Sequence, residues 1–109
     1  MRAIVAALMI QFVFALPAIA GQGAAQGEKV YGAQKCAVCH SIAGKGNQKG
    51  SLDGVGTKLS ADEIRMWIVS APEMAVKTKA TRKPVMKAYA AIPKSDLDAL
   101  VAYMQSLKK

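Results

Sequence analysis

The stretch QKCAVCHSIAG, residues 34–44, contains both cysteines of the chain and its only histidine. Cys36, Cys39 and His40 form the pattern Cys-x-x-Cys-His. Thiol and imidazole groups are the side chains that most often bind metals or form covalent links. We therefore expect this stretch to determine what kind of domain surrounds it.

The cluster has three chemical interpretations. A redox-active dithiol would need a βαβ context, and no strand pattern is present. A structural zinc site needs four ligands, whereas the chain offers only two Cys and one His. The pattern Cys-x-x-Cys-His best fits attachment of haem c, in which Cys36 and Cys39 add to the two vinyl groups and His40 is placed to coordinate the iron. The sequence thus predicts one covalently bound haem per chain.

The first twenty residues are predicted to be a secretory signal peptide. Arg2 precedes an apolar run over residues 3–16, and Pro17 is followed by Ala-Ile-Ala, a small-x-small pattern that signal peptidase accepts. We expect cleavage after Ala20, which leaves residues 21–109 as one small periplasmic domain. The alternative is an uncleaved membrane anchor, since the apolar run just reaches the spanning length of about 17–25 residues.

The composition is strongly basic, with 15 Lys and Arg against 7 Asp and Glu and a formal charge of +8. Such a balance can indicate nucleic acid, an anionic membrane or an acidic protein surface as partner. Export argues against nucleic acid. The domain also has few aromatic residues for its size, which favours a cofactor as part of the core.

An all-α domain of about three helices joined by long loops is predicted, because no stretch alternates as a strand would. The first helix should cover residues 27–36, after a frayed leader at residues 21–26. Gly32 lowers the stability of that helix, and only a second helix that crosses closely there would offset this loss. Residues 44–56 contain five glycines and are predicted to be a loop.

The second helix is predicted to begin at a capping box formed by Ser60 and Glu63 and to end at Pro72. Its apolar face is formed by Ile64, Trp67 and Ile68. Residues 73–92 show no sustained period, so we expect a loop with at most one turn of helix.

The last helix is the most regular segment of the chain. It is predicted to begin at Pro93, with Ser95 and Asp96 as capping candidates. Apolar residues at helical spacing form one stripe: Leu97, Leu100, Val101, Met104 and Leu107.

Together these stretches resemble the class I, single-haem cytochromes c of bacterial type. The resemblance covers nearly all of residues 21–109 and lies in GEKVYGAQKCAVCHSIAG (27–44), SLDGVGTKLSADEIRMWI (51–68) and DLDALVAYMQSLKK (96–109). It implies a cytochrome c fold in which the first and last helices cross near-perpendicularly around one haem. Gly27 or Gly32 would lie at the crossing, and Tyr31 would pack against Tyr103.

The resemblance also implies a methionine as second axial ligand, supplied by a loop shortly before the last helix. Met86 occupies that place, and Met74 is the alternative. Met104 belongs to the apolar stripe of the last helix, and Met66 lies off the apolar face of the second. A His/Met pair raises the reduction potential and leaves no coordination position for a substrate, which favours electron transfer over catalysis.

Neighbouring residues are expected to support these ligands. The family often has a proline whose carbonyl holds the histidine ring; Gly50 stands at that place here, and its carbonyl can serve the same role for His40. Trp67 is expected either to donate to a haem propionate or to pack against the haem.

The function implied is a periplasmic, monomeric electron-transfer protein that is not an enzyme and has no small-molecule substrate. Basic residues around Met86 are expected to dock it on acidic surfaces of redox partner proteins: Lys77, Lys79, Arg82, Lys83 and Lys87. The alternative is a haem subunit permanently bound to a dehydrogenase or oxidase. An iron left open at the Met86 position would instead indicate an enzyme or gas sensor, and a colourless protein would indicate a role without haem.

Overall fold

The computed structural model describes residues 19–108; the predicted signal segment before Ile19 lies outside the described residues. Within this range the chain forms five α-helices: α1 (Ile19–Ala33), α2 (Val55–Lys58), α3 (Ala61–Val69), α4 (Ala71–Lys77) and α5 (Lys94–Ser106). Two 3₁₀ turns cover Cys36–Val38 and Gln48–Gly50. The all-α prediction is confirmed, although short helices raise the number above the expected three.

A two-residue hairpin was missed in the sequence. Strand β1 (Ser41–Ile42) pairs antiparallel with β2 (Lys45–Gly46). Ala43 and Gly44 turn the chain, both with positive φ. A hairpin this short cannot produce an alternating pattern, so the sequence predicts only a loop over residues 44–56.

The core lies where α3 and α5 pack together and α1 crosses α5. Its buried side chains are Val30, Ile64, Ile68, Leu100, Val101 and Met104. The predicted stripe of α5 is thus buried at its centre, while Leu97 and Leu107 pack at its margin. Burial of these apolar side chains stabilises the fold by about 1.5–3 kcal/mol for each large one.

Gly27 is the residue that lets α1 approach α5. A Cβ at Gly27 would overlap the Ala99 carbonyl oxygen and come within 2.5 Å of the Tyr103 Cβ. At Gly32, by contrast, a Cβ would meet nothing within 4 Å. The structure therefore assigns the close crossing to Gly27, and the expected packing of Tyr31 on Tyr103 is present, with ring centroids 5.9 Å apart in an edge-to-face arrangement.

Helix α1 differs from its predicted range at both ends. Residues 21–26 are helical rather than frayed, because α1 continues along α5 as far as Gly23, whose Cβ position lies 3.4 Å from the Ala102 Cβ. The helix ends at Ala33 because Lys35 adopts a left-handed conformation, with φ 57°.

Helix α3 begins as predicted. The Ser60 hydroxyl accepts from the Glu63 amide, and the Glu63 carboxylate accepts from the Ser60 amide. Pro72 does not end this helix, which stops at Val69. Pro72 lies instead in the first turn of α4. Backbone amides there have no partner within the helix, so the N–H that proline lacks costs no hydrogen bond.

The capping residues predicted for α5 are wrong. Pro93 occupies the N-cap position and no side chain caps the helix, so Ser95 and Asp96 lie inside the first turn. Asp96 still places a negative charge where the helix dipole favours it. No helix within residues 19–108 is both long and apolar enough to span a bilayer.

Candidate functional site

A cavity of about 890 Å³ opens between the Cys-x-x-Cys-His segment and the helical core. Helices α3 and α5 contribute Ile64, Trp67, Ile68, Leu100 and Met104 to its lining. The loop after α4 contributes Met86 and Tyr89. The volume falls at the upper end of the range of about 300–1,000 Å³ for cofactor pockets, and the lining is mainly apolar.

The His40 ring has a defined orientation and tautomer. Its Nδ1 lies 2.9 Å from the carbonyl oxygen of Gly50, as expected from the sequence. Because a carbonyl can only accept, Nδ1 carries the proton and Nε2 keeps its lone pair. Burial lowers the pKa of His40, and the nearby positive charge of Arg82 acts in the same direction against the Gly50 hydrogen bond. The ring is therefore a neutral imidazole with Nε2 available as a ligand.

Cys36 and Cys39 are both free thiols. They lie in and directly after the first 3₁₀ turn, and both line the cavity with His40. Burial raises the pKa of the Cys36 thiol. This is opposite to the lowered pKa of cysteines that act as redox dithiols, so the burial of Cys36 does not favour that interpretation.

The candidate methionines lie in different environments. Met86 lines the cavity together with His40, whereas Met74 is buried in α4 and does not line it. Met104 also borders the cavity but belongs to the buried core of α5. Met66 is 42% exposed on α3. The structure thus brings Met86, the two cysteines and His40 to one cavity.

Two aromatic side chains complete the lining. Trp67 is half-buried at the cavity wall. Tyr31 also lines it, and its buried hydroxyl has no hydrogen-bond partner among the described residues. Burial, with smaller effects of Cys36 and Tyr103, raises the pKa of Tyr31 to about 12, so the hydroxyl stays a donor. A buried donor without a partner is consistent with a polar group entering the cavity.

The predicted basic cluster divides into different environments. Lys79, Lys83 and Lys87 line a second, shallower groove of about 560 Å³, which also contains the exposed Val76 and Val85. Arg82 points elsewhere: its guanidinium donates to the carbonyl oxygen of Cys39. No local sequence pattern predicts this contact, because it joins residues 43 positions apart.

Comparison with known proteins decides the family. The family model for cytochrome c matches residues 24–108, which is most of the chain. The chain belongs to the cytochrome c family. No significant match was found among curated proteins or among solved structures. The predicted resemblance to class I c-type cytochromes and the predicted cytochrome c fold are both confirmed.

Cytochrome c domains bind haem c covalently and serve in electron transfer, and the Cys-x-x-Cys-His pattern of this cytochrome is consistent with that. Its cavity fits the group: the two thiols adjoin a neutral imidazole with a free Nε2, and a thioether lies in the same lining. Imidazole and thioether are the donor pair of cytochromes c.

Proposed function

We propose that this cytochrome c domain is a periplasmic electron carrier with one haem c attached to Cys36 and Cys39 and coordinated by His40 and Met86. Haem c supplies a one-electron couple. The observation that supports this ligand set is the shared cavity, which unites these four side chains from two distant stretches of sequence.

The chain's own residues would set the properties of the carrier. The Gly50 carbonyl fixes the His40 ring, and a hydrogen bond of this kind increases the basicity of the ligating nitrogen. Bound to the iron, the thioether of Met86 would favour the reduced state and raise the reduction potential. With His40 and Met86 both holding the iron, no coordination position would be left for a substrate, so we infer that the domain is not an enzyme.

The ligand set is tested by mass spectrometry and carbon monoxide binding. The secreted wild-type protein should show the added mass of one porphyrin, and Cys36→Ala with Cys39→Ala should not. Reduced wild-type protein should not bind carbon monoxide at neutral pH. Absence of porphyrin mass would refute the carrier, and ready binding of carbon monoxide would indicate an open iron and hence an enzyme or sensor.

Redox partners are proposed to dock at the groove lined by Lys79, Lys83 and Lys87, which we call the lysine groove. Met86 lines both this groove and the cavity, so a partner bound there would lie close to the iron ligand. Val76 is 81% exposed beside the lysines. A small apolar centre with a basic rim suits a transient, salt-sensitive contact with an acidic surface.

An exposed apolar centre would also suit a subunit held permanently in a dehydrogenase or oxidase complex. Purification from its native membrane and periplasmic fractions separates the two functions. A free monomer in the periplasmic fraction supports the carrier, and stoichiometric co-purification with one enzyme supports the subunit.

The periplasmic location rests on residues 1–20, the predicted signal peptide. Sequencing the N-terminus of the haem-loaded protein tests it. A start at Gly21 supports cleavage after Ala20, whereas an intact N-terminus in the membrane fraction would support the uncleaved anchor.

A further inference from the structure

Arg82 connects the loop that bears Met86 to the segment that bears His40. Its Nη2 donates to the backbone carbonyl of Cys39. The guanidinium also fills the space beside Gly50, since a Cβ built on Gly50 would overlap Nη1 and lie 2.7 Å from Cζ. One side chain therefore contacts the residue before His40 and the residue that accepts the His40 hydrogen bond.

Gly50 needs such support because of its own flexibility. A glycine has no side chain to restrict φ and ψ, so its carbonyl direction depends on its surroundings. The 3₁₀ turn holds the Gly50 amide through the Asn47 carbonyl at 3.1 Å. The Gly50 carbonyl oxygen lies 2.9 Å from His40 Nδ1, and the Arg82 guanidinium packs against the same glycine.

We propose that Arg82 is a positioning residue that holds the Gly50 carbonyl against the His40 imidazole while it ties the Met86 loop to the same segment. This rests on the proposed ligand set, because Arg82 acts only through the two ligands.

The role requires both charge and shape. An arginine presents a planar fork of donors, which can meet the Cys39 carbonyl and lie flat on Gly50 together. A lysine in the same place keeps the charge but makes a single-point contact. Glutamine removes the charge and shortens the side chain. Lys83 is adjacent, exposed and equally charged, but it lines the lysine groove instead.

The decisive experiment measures solvent exchange of the His40 Nδ1 proton by NMR in the reduced, haem-loaded protein. Arg82→Gln should speed this exchange about tenfold. It removes the charge-assisted hydrogen bond from Arg82 to the Cys39 carbonyl, and losing one such bond makes local opening easier by about that factor. Arg82→Lys should speed it about threefold, since the contact is only partly kept. Lys83→Gln, the matched control, should leave the exchange rate unchanged.

Reduction potential supplies a second readout. Arg82→Gln should lower the potential more than Lys83→Gln does, because both remove one positive charge but only Arg82 contacts the ligand segments. Arg82→Lys should stay near the wild-type potential while its exchange rate rises. This combination separates positioning from charge.

An exchange rate in Arg82→Gln equal to that of the wild type would overturn the proposal. If Arg82→Gln does not load haem, Arg82→Lys decides: the wild-type exchange rate in that variant overturns the role as well. Equal acceleration in Lys83→Gln would show a general effect of charge and also overturn it. Wild-type protein without porphyrin mass would instead refute the proposed function, so the two failures are distinguishable.

Discussion

A single hydrogen bond sets the chemical form of His40. The Gly50 carbonyl, 2.9 Å from Nδ1, keeps the proton on that nitrogen and leaves the lone pair of Nε2 free. The residue that supplies this carbonyl could be predicted from sequence position, since it follows the cysteine segment at a fixed place in the family pattern. The contact of Arg82 with Gly50 could not, because no local pattern relates a side chain to a backbone group so far away in sequence.

Met86→Ala should abolish the weak far-red absorption band of iron bound to a thioether and should lower the reduction potential. The absorption spectrum of the oxidised protein and a redox titration measure the two effects. Met74→Ala is the matched control, because Met74 is buried outside the cavity and its loss should reduce stability by about 2–5 kcal/mol while the band persists. A far-red band that survives in Met86→Ala and disappears in Met74→Ala would reverse the ligand assignment.

At the scale of elements, the contact of α1 with α5 depends on a missing side chain. Gly27→Ala should lower the free energy of unfolding by about 1–3 kcal/mol, because the added methyl group meets the Ala99 carbonyl and Tyr103. Gly32→Ala should raise it by about 0.5 kcal/mol, since that position is open and alanine is the better helix former. Denaturant unfolding of the haem-loaded variants measures both.

The two glycine variants should change the free energy of unfolding in opposite directions, and this contrast is the test. If Gly27→Ala were as stable as the wild type, α1 would not cross α5 at Gly27. Both glycines were candidates in the sequence, since each lies in the same helix. Only the direction of approach of α5 distinguishes them, and that is a property of the tertiary structure.

Asp98 joins two helices by ion pairs. Its carboxylate lies 2.7 Å from Arg65 Nη2 on α3 and 2.9 Å from Lys94 Nζ at the start of α5. The hydrogen bond from Lys94, followed by that from Arg65, lowers the pKa of Asp98 below its ordinary value. A carboxyl group whose pKa is lowered by folding stabilises the folded state at pH values above its ordinary pKa. This contribution is lost as the pH falls through the folded-state pKa.

Asp98→Asn should therefore destabilise the protein at neutral pH. Its difference from the wild type should begin to shrink as the pH falls below the ordinary carboxyl pKa of about 4 and should vanish below the folded-state pKa. Unfolding curves of both proteins across this pH range provide the measurement. High salt should also reduce the difference, because both partners are solvent-accessible. A gap between the two proteins that stays constant down to low pH would contradict an ionic origin.

The elements that were predicted correctly are those with local signals. The capping box of α3 and the apolar stripe of α5 are each contained within one helix. The start of α1 and the role of Pro72 were wrong because packing of α1 along α5 extended one helix, and because proline is as compatible with the first turn of a helix as with the residue after its end.

At the scale of the whole molecule, the positive charge of the lysine groove should attract anions, so we expect reactions with anionic oxidants to depend on salt. Lys83→Glu combined with Lys87→Glu should slow oxidation of the reduced protein by hexacyanoferrate(III) roughly fivefold at about 0.1 M ionic strength. Lys45→Glu combined with Lys49→Glu reverses the same number of charges on residues that do not line the groove, and it should have a smaller effect. Stopped-flow absorbance gives the rates. Equal slowing by both pairs would indicate net charge rather than a defined docking surface.

The segment that contains Met86 lacks backbone hydrogen bonds. Within the described part of the chain, no residue from 81 to 88 makes a backbone–backbone hydrogen bond. The Tyr89 amide is bound to the Ile68 carbonyl at 2.8 Å and marks the end of this stretch. Segments of this kind open at a lower free energy than the helices that flank them. As denaturant is added, we therefore expect the thioether to dissociate before α1 and α5 separate, so that the colour of the protein changes before its helical circular dichroism does.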